Sequence, residues 1–166
     1  MNVIKHYIII FFISMVPLIE LRGAIPYAVG FIKAGVSLEL WQCYLVAILG
    51  NMLPVPFIFF FARAVLEWGK DKRFIGKFFS FCLEKGHKGG MKLKEKAGKG
   101  LYVALLLFVG IPLPGTGAWT GALAASILDM EFKKSIIAVM AGVVVAGVIM
   151  GLISLGLFSG IMAMFG

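Results

Sequence analysis

The chain of 166 residues is 61% hydrophobic and 14% charged, with a mean hydropathy of +1.00. That balance excludes a soluble globular domain and points to an integral membrane protein. The formal net charge is +8, and ten of the sixteen Lys and Arg fall between Lys70 and Lys99, so this stretch reads as a cytoplasmic loop under the positive-inside rule and not as a nucleic-acid surface.

In chain order, the first apolar block opens with Tyr7 to Ile19, preceded by Lys5. It has the outline of a secretory signal, but no small-x-small site follows it, and the segment is expected to be retained. The break ELRGAIP (20–26) comes next, then a short apolar piece from Tyr27 to Ile32. The second block, Leu40 to Ala62, holds 23 residues without a formal charge and predicts a transmembrane helix over 38–66. Asn51 lies at its middle, followed by Pro54 and Pro56, which remove the helical partners of the Gly50 and Met52 carbonyls. Asn51 and those acceptors face a cavity, or Asn51 serves as helix–helix glue. Arg63 reads as a snorkelling anchor.

In the loop over 67–100, Phe74, Ile75, Phe78, Phe79 and Cys82 follow helical spacing among lysines. This predicts an amphipathic helix lying on the membrane surface or packed on the bundle. The third block reads Leu101 to Ile111, PLPGTGA (112–118), then Trp119 to Leu128, and the fourth runs from Ser135 to Gly166. The fourth predicts a transmembrane helix over 132–162, on which Gly147 and Gly151, and Gly156 and Gly160, have the spacing of helix packing or dimerisation. Cys43 and Cys82 read as packing residues.

Pieces of about 10 to 13 residues reach roughly 15 to 20 Å, too short to cross a hydrocarbon core of roughly 30 Å. The interrupted blocks are therefore read as re-entrant helical hairpins over 4–35 and 101–128. The competing reading, four full spans, places Glu20 and Arg22 at mid-bilayer in a continuous helix. Setting residue n against n+92 pairs Leu21 with Leu113, Gly23 with Gly115, Tyr27 with Trp119 and Gly50 with Gly142, and makes Ser37 and Asp129 matching helix N-caps. The expected fold is thus an all-α integral membrane protein of two inverted repeats, 1–66 and 101–166. Each is a re-entrant hairpin plus a transmembrane helix, and the basic loop joins them.

The chemistry concentrates at the hairpin breaks. Pro26 suits the first turn of a returning helix and Gly23 its turn, so unpaired N–H groups at membrane depth make an anion site there. Arg22 reads as an anion clamp. In the second break Thr116 is expected to cap the helix, while Gly115 and Gly117 let a ligand approach the backbone. Glu20 either pairs with Arg22 or takes up a proton, which makes it the candidate for proton coupling or half of a static ion pair. His6 and His87 lie outside the apolar blocks, and no serine or cysteine has an identifiable base, so no catalytic residue, metal site or cofactor is expected.

ELRGAIPYAVG (20–30) and PLPGTGAWTGALAA (112–125) resemble the bacterial and archaeal family of small multidrug export proteins. The architecture is similar, more distantly, to DedA-type membrane proteins. The first resemblance implies drug export. The second implies proton-linked translocation of lipid phosphates such as an undecaprenyl phosphate carrier, with Glu20 and Arg22 matching the acidic and basic residues of the first hairpin; Gly115 to Ala118 departs from that pattern in carrying no charge. The resulting expectation is a homodimeric, multi-pass transporter of the cytoplasmic membrane, surrounded by lipid. An anionic amphiphile would sit at a midplane site of Arg22, Gly23, Pro26, Asn51, Gly115, Thr116 and Gly117. The alternatives are a proton-coupled exporter of cationic drugs and a non-transporting scaffold.

Overall fold

A computed structural model describes residues 3–71, 76, 77, 80, 81, 84, 95, 98, 100–113 and 115–156. Within them the elements are helical: α1 (Val3–Met15), α2 (Glu20–Lys33), α3 (Leu40–Met52), α4 (Pro54–Gly69), α5 (Gly100–Gly110), α6 (Ala118–Ile127) and α7 (Phe132–Leu155). Of the amphipathic helix expected from Phe74 to Cys82, the described residues Gly76, Lys77, Ser80 and Phe81 are helical. Phe74, Ile75, Phe78, Phe79 and Cys82, which carry the pattern, lie outside the described residues, as does the stretch of the last block beyond Gly156.

Two stretches, Leu40–Gly69 and Phe132–Leu155, are long and apolar enough to cross a hydrocarbon core. The first is broken at Leu53, where the prolines begin and helical bonding from positions 54 and 56 ends. Large apolar side chains stand on the outer faces, among them Phe57, Phe61 and Ile137, each about 70% exposed. In water such faces would be aggregation surfaces; lipid is their natural solvent.

α1 packs against α2 and α3, α5 against α6 and α7, α2 against α7, and α4 against α6. The two halves share three local details. The backbone N–H of Glu39, ahead of α3, donates to the Tyr7 hydroxyl at 3.1 Å, and that of Glu131, ahead of α7, donates to the Tyr102 hydroxyl at 3.3 Å. α2 closes with Val36 N–H donating to the Phe31 carbonyl at 3.0 Å, and α6 with Met130 N–H to Ala125 at 2.9 Å, the same six-to-one closure. The left-handed residue it requires is Gly35 in one half and Asp129 in the other. Third, Gly50 lets α3 close on the Phe11 carbonyl of α1, and Gly142 lets α7 close on the Leu106 carbonyl of α5.

Several sequence expectations are corrected. The caps of α3 and α7 are Glu39 and Glu131, without side-chain bonds, and not Ser37 and Asp129. The first turn is built by Leu18 and Glu20, with φ of 69° and 50°, so Gly23 and Pro26 fall inside α2 and not at its start. Gly23 instead makes room for Ile19, whose methyl a Cβ would strike. His6, read as outside the apolar part, is 1% exposed and packs on Tyr27 and Phe31. Arg63 does not only snorkel: it bridges Glu67 at 3.2 Å and Asp129 of the α6–α7 turn. Gly147 and Gly151 are covered within the chain by Tyr44, whose hydroxyl donates to the Gly147 carbonyl at 2.9 Å.

The packing fixes where the two broken segments meet. Gly110, ending α5, lies against Gly142 and Val145 of α7, and Leu21, near the start of α2, against Gly147. These positions are close to the middle of α7, whose 24 residues extend roughly 36 Å. The α1–α2 turn and the α5–α6 linker therefore come together halfway along that helix.

Candidate functional site

Glu20 is 5% exposed at the start of α2. Its carboxylate accepts the backbone N–H of Ala118 at 3.1 Å on Oε2 and of Trp119 at 3.2 Å on Oε1. These are first-turn amides of α6, which an isolated helix leaves unpaired. The carboxylate thus caps a helix of the other half, where its charge also meets the positive end of the α6 dipole. The start of α6, one of the two helix starts at which the sequence suggests room for a ligand, is occupied by the chain's own Glu20.

Gly117 makes this contact possible. Its φ is 152°, and a Cβ there would stand 2.7 Å from Glu20 Cδ. The sequence reading reserved this space for a ligand; the carboxylate takes it. Holding Glu20 in the left-handed region is itself unfavourable for a side-chain-bearing residue, by about 1–2 kcal/mol, and two charge-assisted bonds offset it.

Arg22, two residues on, serves the opposite end of the same break. Nη2 donates to Thr116 Oγ1 at 2.9 Å and reaches the Ile111 carbonyl at 3.5 Å, and Nη1 donates to the Leu113 carbonyl. The Thr116 hydroxyl has the Ile111 and Leu113 carbonyls at 2.8 and 2.9 Å. Thr116 therefore does not cap α6, whose N-cap is Gly117 without a side-chain bond; it gathers the carbonyls that follow α5 under the guanidinium. One acid and one base from the first break thus satisfy the N–H end and the C=O end of the second. Among the described residues Glu20 makes no ion pair with Arg22.

Asn51 of α3 is 2% exposed with its amide facing Glu20. Trp119 completes the junction by donating its indole N–H to the Met15 carbonyl, the last of α1, at 3.2 Å. Sequence reasoning passed over Trp119 except as the partner of Tyr27 at n+92; an indole directly after a glycine break, with a donor to place, was the signal available. On the outer side of Glu20 lies a cavity of about 330 Å³, lined by Pro17, Leu18, Ile58, Trp119, Thr120 and Leu123 together with Glu20, Gly115 and Thr116. Of the predicted site residues, Glu20, Gly115 and Thr116 line the cavity, and Arg22, Asn51 and Gly117 belong to the junction around Glu20 without lining it. Gly23 and Pro26 do not line the cavity.

A family model described as "Putative small multi-drug export protein" matches residues 20–149, a span that begins at Glu20 and includes both breaks. No curated protein and no solved structure matches the chain.

Proposed function

The chain belongs to the small multi-drug export protein family, and from that premise we propose that it exports lipophilic cations across the cytoplasmic membrane of a bacterium or archaeon, using the cavity beside Glu20 as its substrate site. The observation that carries this reading is the division of labour between the two charges. Glu20 lines the cavity, whereas Arg22 does not, and both terminal nitrogens of Arg22 are bonded to the 111–116 linker.

A carboxylate has about four lone-pair positions, and the α6 amides take two, so Glu20 retains capacity toward the cavity. Apolar walls, an indole and one carboxylate suit a bulky cation whose charge is delocalised. Arg22 keeps Nε as a buried donor without a partner, but both of its terminal nitrogens are held by the linker, and an anionic amphiphile would first have to displace Glu20 from the α6 amides.

We read the α1–α2 and α5–α6 pairs as re-entrant hairpins from opposite membrane faces, their tips meeting at the midplane. The level of the junction along α7 and the shared Tyr–Glu, closure and glycine details support an inverted repeat. Broken backbone at that depth is tolerable because Glu20 and Arg22 satisfy it. The family description favours transport over catalysis, and the two hydroxyls that line the cavity, Thr116 and Thr120, are turned to backbone carbonyls. A homodimer with lipid-filled outer faces is part of the proposal.

The test is proteoliposome flux with a trapped pH-sensitive dye, challenged with tetraphenylphosphonium and, separately, with a lipid phosphate. Cation-dependent proton flux that is lost in Glu20→Gln is expected. Flux elicited by the lipid phosphate alone would restore the anionic reading, and no flux from either in folded protein would favour a scaffold.

A further inference from the structure

Glu20 and Arg22 serve the backbone of the second break, and the Trp119 indole serves Met15 at the end of α1. The turn that follows Met15 has no such service. Among the described residues no hydrogen bond reaches the carbonyls of Pro17 and Leu18 or the N–H groups of Leu18 and Ile19. Nor does the rest of the chain cover the turn: Val16, Pro17, Leu18 and Ile19 are all exposed, Leu18 to 73%. The turn stands halfway along α7, at the level where Leu21 meets Gly147. Pro17 and Leu18 also form one rim of the cavity beside Glu20, which Gly115 and Leu123, both exposed, share.

Three environments compete for this rim. Hydrocarbon leaves the open carbonyls and N–H groups without partners, which broken backbone at that depth does not tolerate. Water bonds them but has to wet Val16, Pro17, Leu18, Ile19 and Leu123, side chains that are apolar throughout. Protein meets both demands. A regular membrane helix is a poor partner, because its own backbone groups are spent within it; the partner has to present open backbone at mid-membrane. This chain does so, with donors and acceptors in one turn, and a two-fold contact sets the donors of one copy against the acceptors of the other.

We propose that the turn over 16–19 is the contact face of a homodimer, and that each copy closes the mouth of the other's cavity. The site beside Glu20 is thus walled by two chains, and a lipophilic cation held there is screened from lipid by the second copy. The contact rests on the membrane placement of the two tips. It deepens the transport reading by completing the substrate cavity, and its test needs no substrate.

The test uses full-length protein in phosphatidylcholine–phosphatidylglycerol vesicles, with single spin labels in a background without the native cysteines. Labels at Ile137→Cys, on the exposed face of α7, are expected to give a defined distance between copies. Adding Leu18→Trp, whose bulk an exposed position accommodates in the single chain, is expected to abolish that distance while thermal unfolding is unchanged. A label at Leu18→Cys is expected to give a shorter distance between copies than Ile137→Cys. It is also expected to be shielded both from oxygen, which samples hydrocarbon, and from a water-soluble nickel chelate, whereas the Ile137→Cys label stays open to oxygen.

A Leu18→Cys label open to oxygen would overturn the proposal in favour of a lipid-filled mouth, and one open to nickel in favour of a wet vestibule. A distance at Ile137→Cys that survives Leu18→Trp, or no distance between copies in either labelled protein, would overturn it as well. If the contact is found while tetraphenylphosphonium neither binds nor moves, the transport reading fails and the contact stands; if tetraphenylphosphonium moves through a protein without the contact, the reverse holds.

Discussion

Gly117 and Glu20, separated by almost a hundred residues, lie so close that the glycine's missing side chain is the space the carboxylate occupies. The consequence is that the tip of one half plugs the helix start of the other, and the stability of the junction is tied to its chemistry.

The first prediction follows directly. Gly117→Ala places a methyl against the Glu20 carboxyl at a φ of 152°, and is expected to cost about 1–3 kcal/mol by backbone strain, with loss of the Glu20 bonds in addition. Gly115→Ala, at φ 82° but with nothing within 4 Å of the added carbon, should cost only about 1–2 kcal/mol. Thermal unfolding in detergent checks the order; equal effects would mean that the close approach is unimportant.

Removing the carboxyl and neutralising it should differ. Glu20→Ala leaves the Ala118 and Trp119 amides unpaired and is expected to destabilise by about 2–3 kcal/mol, whereas Glu20→Gln keeps a weaker acceptor and should lose about half as much. Both should abolish tetraphenylphosphonium binding in equilibrium dialysis. Leu123→Trp, which fills the cavity and leaves Glu20 in place, is expected to weaken binding about tenfold or more with unfolding unchanged to within about 1 kcal/mol.

For Arg22 the prediction separates fork geometry from charge. Arg22→Lys retains a cation but cannot bridge the Leu113 carbonyl and Thr116 Oγ1 together, so a loss of about 1–2 kcal/mol is expected. Tetraphenylphosphonium binding per folded molecule should be unchanged, since Arg22 does not line the cavity. Binding lost in parallel with that of Glu20→Gln would place Arg22 in the substrate site.

The shared details of the two halves predict matched sensitivities. Gly142→Ala would set a Cβ 2.6 Å from the Leu106 carbonyl, and Gly50→Ala would press on the Phe11 carbonyl. Each should destabilise by about 1–3 kcal/mol, because backbone cannot yield as a side chain does. By contrast Arg63→Ala removes an exposed ion-pair set and should change stability by no more than about 1 kcal/mol. Denaturation of the three variants side by side tests the comparison.

Composition and spacing alone determined the solvent, the class and the fact that the first and third apolar blocks are interrupted, while the exact turn of the first fell at Leu18 and Glu20 and not at Gly23. Apolar runs of membrane length, a basic loop and Gly/Pro interruptions are local properties, and local physics decides them. The n+92 pairing of Gly50 with Gly142 was legible for the same reason: a glycine that lets two helices touch leaves its mark in each half. What only the tertiary structure decided was partnership. Glu20 and Arg22 are neighbours in sequence and invite an ion pair, yet the folded chain turns one to the N–H end and the other to the C=O end of a break about ninety residues away. Nothing in ELRGAIP encodes that, because the unpaired backbone groups that attract each charge come into existence only when the second linker folds. The same holds for the turn at Leu18 and Glu20, where tip-to-tip bonding outweighs the conformational preference that made Gly23 look like the hinge. Local preferences of about 1 kcal/mol set the elements, and buried charge with nowhere else to go set the site.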